Sequence, residues 1–123
     1  MRITLLGEDA LRCEPAVGPL TIESRRSDQV YSAFHMLASG LAVCTLAVLR
    51  AWASNANLEA SRLALEVHWS FTEQPHRVAA YAIVVEWPGL ETTRRDAALR
   101  VAETCGVKET LRVPPRIDVE LKA

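Results

Sequence analysis

A basic surplus is missing from this chain. Its 14 Lys and Arg stand against 15 Asp and Glu, for a net charge of −1, so there is no electrostatic footprint for nucleic acid or an anionic membrane surface. Arg25-Arg26 and Arg94-Arg95 are pairs and not patches. Cysteine is scarce as well: Cys13, Cys44 and Cys105 show no CxxC spacing, which excludes the usual zinc knuckle and argues against a secreted disulfide scaffold. No Gly-rich phosphate loop or GxSxG elbow appears. His68, on the polar side of a strand, and His76, in a turn beside Pro75, have no second ligand at metal spacing, so neither metal nor cofactor is expected. The apolar stretch Ala33 to Leu49, 17 residues without a formal charge, falls short of the roughly 20 residues a bilayer crossing needs, and Arg50 ends it. No membrane span is expected. The opening MRITLLGEDALRC meets acid at Glu8, too early for the apolar region of a signal peptide, and the expected compartment is the reducing cytoplasm.

What is present reads as one domain over residues 1–123, of α+β class. Residues 1–6 and Leu20–Glu23 suit short strands, with Gly7, Pro15, Gly18 and Pro19 interrupting the stretch between them. A long helix follows, with Ser27 or Asp28 as its cap, and runs to about Ser54. Ala64–Phe71 alternates, with Leu65, Val67, Trp69 and Phe71 on one face and Glu66, His68 and Ser70 on the other. A turn at 73–77 returns the chain through Val78–Glu86, completing a hairpin. Leu90–Thr104 reads as an amphipathic helix with Ala97, Ala98, Val101 and Ala102 inward, and Ile117–Leu121 as a last strand. Trp52, Trp69 and Trp87 read as core or interface mass. The long helix is apolar on all sides and needs cover on all sides. A chain of 123 residues with one other clear helix supplies little, so another subunit is expected to provide it.

Two thiols occupy distinctive places. Cys44 sits within the uncharged helix and Cys105 near the chain's end, in AETCGVKETL, while Cys13 lies in the irregular N-terminal stretch and reads as a bystander. If folding brings Cys44 and Cys105 together, they form a redox pair. Only a thiolate attacks a peroxide oxygen, and burial in an apolar helix pushes a thiol up, so a reactive Cys44 needs a nearby cation. Arg25 and Arg26, in the connection entering the helix, are close enough in sequence to supply it; the competing reading is a solvated loop pair.

FHMLASGLAVCTLAVLRAWA, then EQPHRVAAYAIVVEWPGL, then AETCGVKETL, resembles the OsmC/Ohr family of thiol-dependent hydroperoxide reductases across about residues 20–121. The family's first cysteine lies in a small-residue helix and its second opens a C-P-V-x-x-x-L segment; Cys44 and Cys105 stand at those places, with Gly106 for the proline. The resemblance implies an antiparallel sheet wrapped around a long buried helix in an intertwined homodimer, with a thiol site at each subunit boundary. It further implies reduction of organic hydroperoxides, Cys44 peroxidatic and Cys105 resolving, with an external dithiol as reductant. An arginine activates the first cysteine in that family, which casts Arg25 or Arg26 in the part. The acid that orients it is absent: Phe34 stands at its place, and His35 falls about 180° around a straight helix from Cys44. The alternative is a non-peroxidatic dimer of the same fold with an apolar ligand pocket at its interface.

Overall fold

The computed structural model describes residues 2–7, 10–14, 22–24 and 33–122, with side chains from residue 33 onward. The chain divides into two compact units, Met1–Leu37 and Ala38–Ala123. In the first, strands β1 (Arg2–Gly7), β2 (Ala10–Glu14) and β3 (Ile22–Ser24) form a three-stranded antiparallel sheet in the order β1-β2-β3. Ile3 pairs with Cys13, and Cys13 with Ile22. Cys13 therefore stands on a central strand, where an irregular stretch was expected. Five residues with a charge at two of them give β2 too little alternation to read from sequence alone. Ser27, Asp28, Arg25 and Arg26 lie outside the described residues.

Helix α1 (Ala33–Asn55) is 23 residues long, because Arg50 ends the uncharged run without ending the helix. By length and composition it could cross a membrane, yet one row of it, Ala38, Leu41, Thr45, Leu49 and Ala53, is buried within the protein. These residues recur every three or four positions and share one helical face. Leu49 closes a core with Ala98 and Ala102, flanked by Leu65, Val85, Trp52 and Trp87. Core helices of globular units satisfy the same length test. The other face, including Gly40, Val43 and Ala47, is exposed.

Strands β4 (Ala64–Thr72) and β5 (Arg77–Glu86) form the expected hairpin, with Trp69 opposite Tyr81 and Val67 opposite Ile83. Leu65, Val67 and Trp69 are half-buried, while Glu66, His68 and Ser70 are exposed. Phe71 departs from this. The register shifts between Ser70 and Phe71, and a bulge re-aims the side chains beyond it, so Phe71 is exposed and stacks on His76 with ring centroids 4.7 Å apart. After the hairpin, Gly89 takes φ +88 in a turn closed by Leu90 N–H donating to the Trp87 carbonyl, a backbone that glycine adopts at no steric cost. Trp87 also donates from Nε1 to the Glu59 carbonyl at 2.8 Å and meets Trp52 edge to face.

The expected single helix over Leu90–Thr104 is shorter: a 3-10 turn at Thr92–Arg94 leads into α2 (Arg95–Ala102). A further helix, α3 (Gly106–Arg112), follows as a separate element, with Cys105 at its cap. Seven residues are too few for propensity to hold a helix in water; its start is set by Cys105, as described below. The expected strand at Ile117–Leu121 pairs with nothing among the described residues, and residues 113–122 are exposed throughout. Alternation alone makes no strand; a neighbour must supply the ladder.

Candidate functional site: a thiol pair at the start of α3

The site begins with a helix cap. Cys105 has extended backbone angles (φ −63, ψ 124) and its sulfur accepts the N–H of Lys108 at 3.4 Å. That is the N-cap pattern, in which a side chain satisfies the amide three residues on, with sulfur in the usual place of oxygen. Gly106 is then the first helical residue, a position that also suits the proline of the family pattern, so the two residues serve one geometry.

Lys108 fixes the turn from a second direction. Its Nζ donates to the Ala102 carbonyl at 2.8 Å, at the end of α2, and lies 3.6 Å from the Glu103 carboxylate. Arg112 bonds the same carboxylate and also reaches Glu109 at 3.0 Å. The hydrogen bond from Arg112, followed by the nearby Lys108 charge, holds the Glu103 carboxyl below its usual range. Lys108 and Arg112 thus tie α2 and α3 together around Cys105.

Helix α1 supplies the rest. Cys105 is wholly buried and Cys44 half-buried, and both are free thiols. Cys44 and Thr45 of α1 are near enough to the Cys105 sulfur to help lower its thiol. Thr45 is wholly buried, and its hydroxyl also lies 2.8 Å from the Leu41 carbonyl, to which it donates. Burial pushes the Cys105 thiol up, but the neighbouring Cys44 side chain, the Lys108 amide, Thr45 and the Val107 amide together outweigh it and leave the thiol below its ordinary range. A low thiol in an otherwise apolar place marks a site arranged to hold a thiolate.

The structure therefore unites Cys44 with Cys105, the two residues separated by most of the second unit's sequence. Thr45 and Lys108 went unnoticed in the sequence. The signals for them are weak: a lone hydroxyl in the row Leu41, Thr45, Leu49, and a donor three residues after a cysteine that precedes a short helix. His68 and His76 are exposed and bonded to Glu66 at 3.2 Å and Glu73 at 2.8 Å.

Beside the pair lies a cleft of about 360 Å³ lined by Leu41, Tyr81, Ile83, Glu103, Lys108, Leu111 and Arg112. The Tyr81 hydroxyl is buried without a hydrogen-bond partner among the described residues, and burial pushes that phenol up.

A family model described as OsmC-like protein matches residues 26–120. Among solved structures, a candidate osmotic stress induced and detoxification response protein from Psychrobacter arcticus superposes with a TM-score of 0.81 at 19% identity, over 89% of this chain and 85% of that one. An OsmC like protein from Mycoplasma pneumoniae gives 0.69 at 23% identity, over 90% of this chain and 86% of that one. No curated protein sequence matches.

Proposed function

We propose that this chain, which belongs to the OsmC-like family, reduces organic hydroperoxides with Cys44 as the attacking thiol and Cys105 as the resolving one. What supports this reading is that Cys44 on α1 is close enough to the enclosed Cys105 sulfur to help lower its thiol. Cys44 is the less buried of the two, and so the one a peroxide reaches first. Its thiolate takes the terminal peroxide oxygen, the O–O bond breaks, and the alkoxide leaves to be protonated by water. Cys44 is then a sulfenic acid. Cys105 gives up its proton and its thiolate attacks the Cys44 sulfur, expelling hydroxide and closing the disulfide. An external dithiol in a reducing cytoplasm reopens it. In this scheme Arg25 or Arg26 lends positive charge to Cys44, and a second copy of the chain covers the exposed face of α1.

The test is consumption of tert-butyl or cumene hydroperoxide with a dithiol reductant. Wild type should turn over, Cys44→Ser should abolish it, and Cys105→Ser should stall after one oxidation. Arg25→Ala or Arg26→Ala should slow it strongly. No turnover by wild type would overturn the reading. It would leave the second one, a dimer binding an apolar ligand, which the cleft beside the thiols and its buried Tyr81 hydroxyl favour.

A further inference from the structure

Lys108 bonds on both sides of Cys105. Its backbone N–H donates to the Cys105 sulfur at 3.4 Å, and its ammonium donates to the Ala102 carbonyl at 2.8 Å. Cys105 thus stands midway along a closed loop, from the last residue of α2 to the third residue of α3. Both bonds answer a need of a helix end. The carbonyls closing α2 and the amides opening α3 have no partners within their own helices. The Lys108 side chain is only 15% exposed, and Glu103 at 3.6 Å supplies the opposite charge. Helix α3 has seven residues, none of them buried, so neither propensity nor packing fixes its first turn.

We propose that Lys108 is a positioning residue for the resolving step: its ammonium, tethered to the end of α2, fixes the amide that holds the Cys105 thiolate. This rests on the reading that Cys105 resolves an oxidised Cys44. A hydrogen bond is stronger to a charged acceptor than to a neutral one, so an amide held at the sulfur favours thiolate over thiol. Without the tether the first turn of α3 frays, the amide turns to water, and the Cys105 midpoint rises. Among the described residues, the other charged or titratable groups about this turn are Cys44 on α1, Glu103 after α2, Arg112 on α3 and Tyr81 across the cleft on β5. Arg112 ties the far end of α3 to Glu103 and leaves the first turn to Lys108. A midpoint raised by about one unit leaves about tenfold less thiolate below it, while the more basic sulfur gains about threefold in nucleophilicity. The net is a loss of about threefold at low pH and a gain of about threefold above both midpoints. A residue that only kept α3 folded would slow the step at every pH.

The experiment uses Cys13→Ser protein and no peroxide. The Cys44 thiolate attacks dithiodipyridine, the reagent's S–S bond breaks, a mixed disulfide forms on Cys44 and one thiopyridone leaves. The Cys105 thiolate, its proton gone to water, then attacks the Cys44 sulfur. The second thiopyridone leaves with the electron pair as the Cys44–Cys105 bond closes, and its absorbance gives the resolving rate. In Lys108→Met the rate should fall about threefold at low pH and cross above that of the unsubstituted residue at high pH. Lys108→Arg, which keeps donor and charge, should restore the profile. With Cys44→Ser added, so that one thiol titrates, Lys108→Met should raise the Cys105 midpoint by about one pH unit. The amide at position 108 should lose its protection from hydrogen exchange. With Lys108 in place, that amide's resonance should move with the Cys105 midpoint. An amide equally protected in Lys108→Met, one that ignores the titration, or a rate lowered equally at all pH overturns the proposal. Absent peroxide turnover with these results intact defeats the proposed function alone; turnover with an unresponsive amide defeats this proposal alone.

Discussion

Cys105 accepts the Lys108 N–H on its sulfur at 3.4 Å, capping α3, and Cys44 on α1 helps hold the same thiol below its ordinary range, although the hairpin and α2 lie between the two cysteines in sequence. The consequences of this arrangement can be measured separately from any enzymatic turnover.

Mild oxidation should join Cys44 to Cys105 and leave Cys13 free. Peptide mapping of the oxidised, alkylated protein identifies the bridge. A bridge to Cys13 would show that the contact between α1 and α3 does not persist in solution.

The depressed Cys105 thiol sets a pH dependence of stability. Between its folded midpoint and the ordinary value near ~8.5 the unfolded chain binds more protons, so stability of the reduced protein rises with pH across that window. The contribution is lost as pH falls through the folded midpoint. Denaturant titrations at several pH values should show this slope in wild type and lose it in Cys105→Ser.

Leu49 is wholly buried against Ala98 and Ala102, and Leu49→Ala should cost about 2–5 kcal/mol through the cavity it leaves. Trp87→Phe should cost less, about 0.5–1.5 kcal/mol, since the ring contact with Trp52 survives and only the bond to the Glu59 carbonyl is lost. Urea unfolding ranks the two; a larger loss at Trp87 would mean that the core is not centred on Leu49.

Sedimentation should show a dimer at micromolar concentration. Val43 is 66% exposed on α1, and Ile117, Val119 and Leu121 are 81%, 94% and 92% exposed near the chain's end. Val43→Asp, or Asp at both Ile117 and Val119, should shift the equilibrium toward monomer. A monodisperse wild-type monomer would refute the expectation that a second copy provides the cover.

The β4–β5 hairpin, the inward face of α2 and the length of apolar helix around Cys44 were determined by sequence, because each rests on a local periodicity that burial on one side enforces. Phe71 escaped that reading because a bulge is a property of the pairing and leaves no mark in the alternation. The same holds for β2, which owes its existence to its two neighbours, and for Ile117–Leu121, which alternates but has no ladder among the described residues. Helix α3 is too short to form on propensity; it follows from the Cys105 cap and from Lys108 reaching the end of α2. At the site, the sequence with its family resemblance singled out Cys44 and Cys105 as chemistry-bearing residues. Which sulfur would be held as a thiolate, and by what, was decided by tertiary structure alone. The groups around it are the Lys108 and Val107 amides and the Cys44 and Thr45 side chains, whose effect on a thiol depends on distance and desolvation, and neither quantity exists before the chain folds.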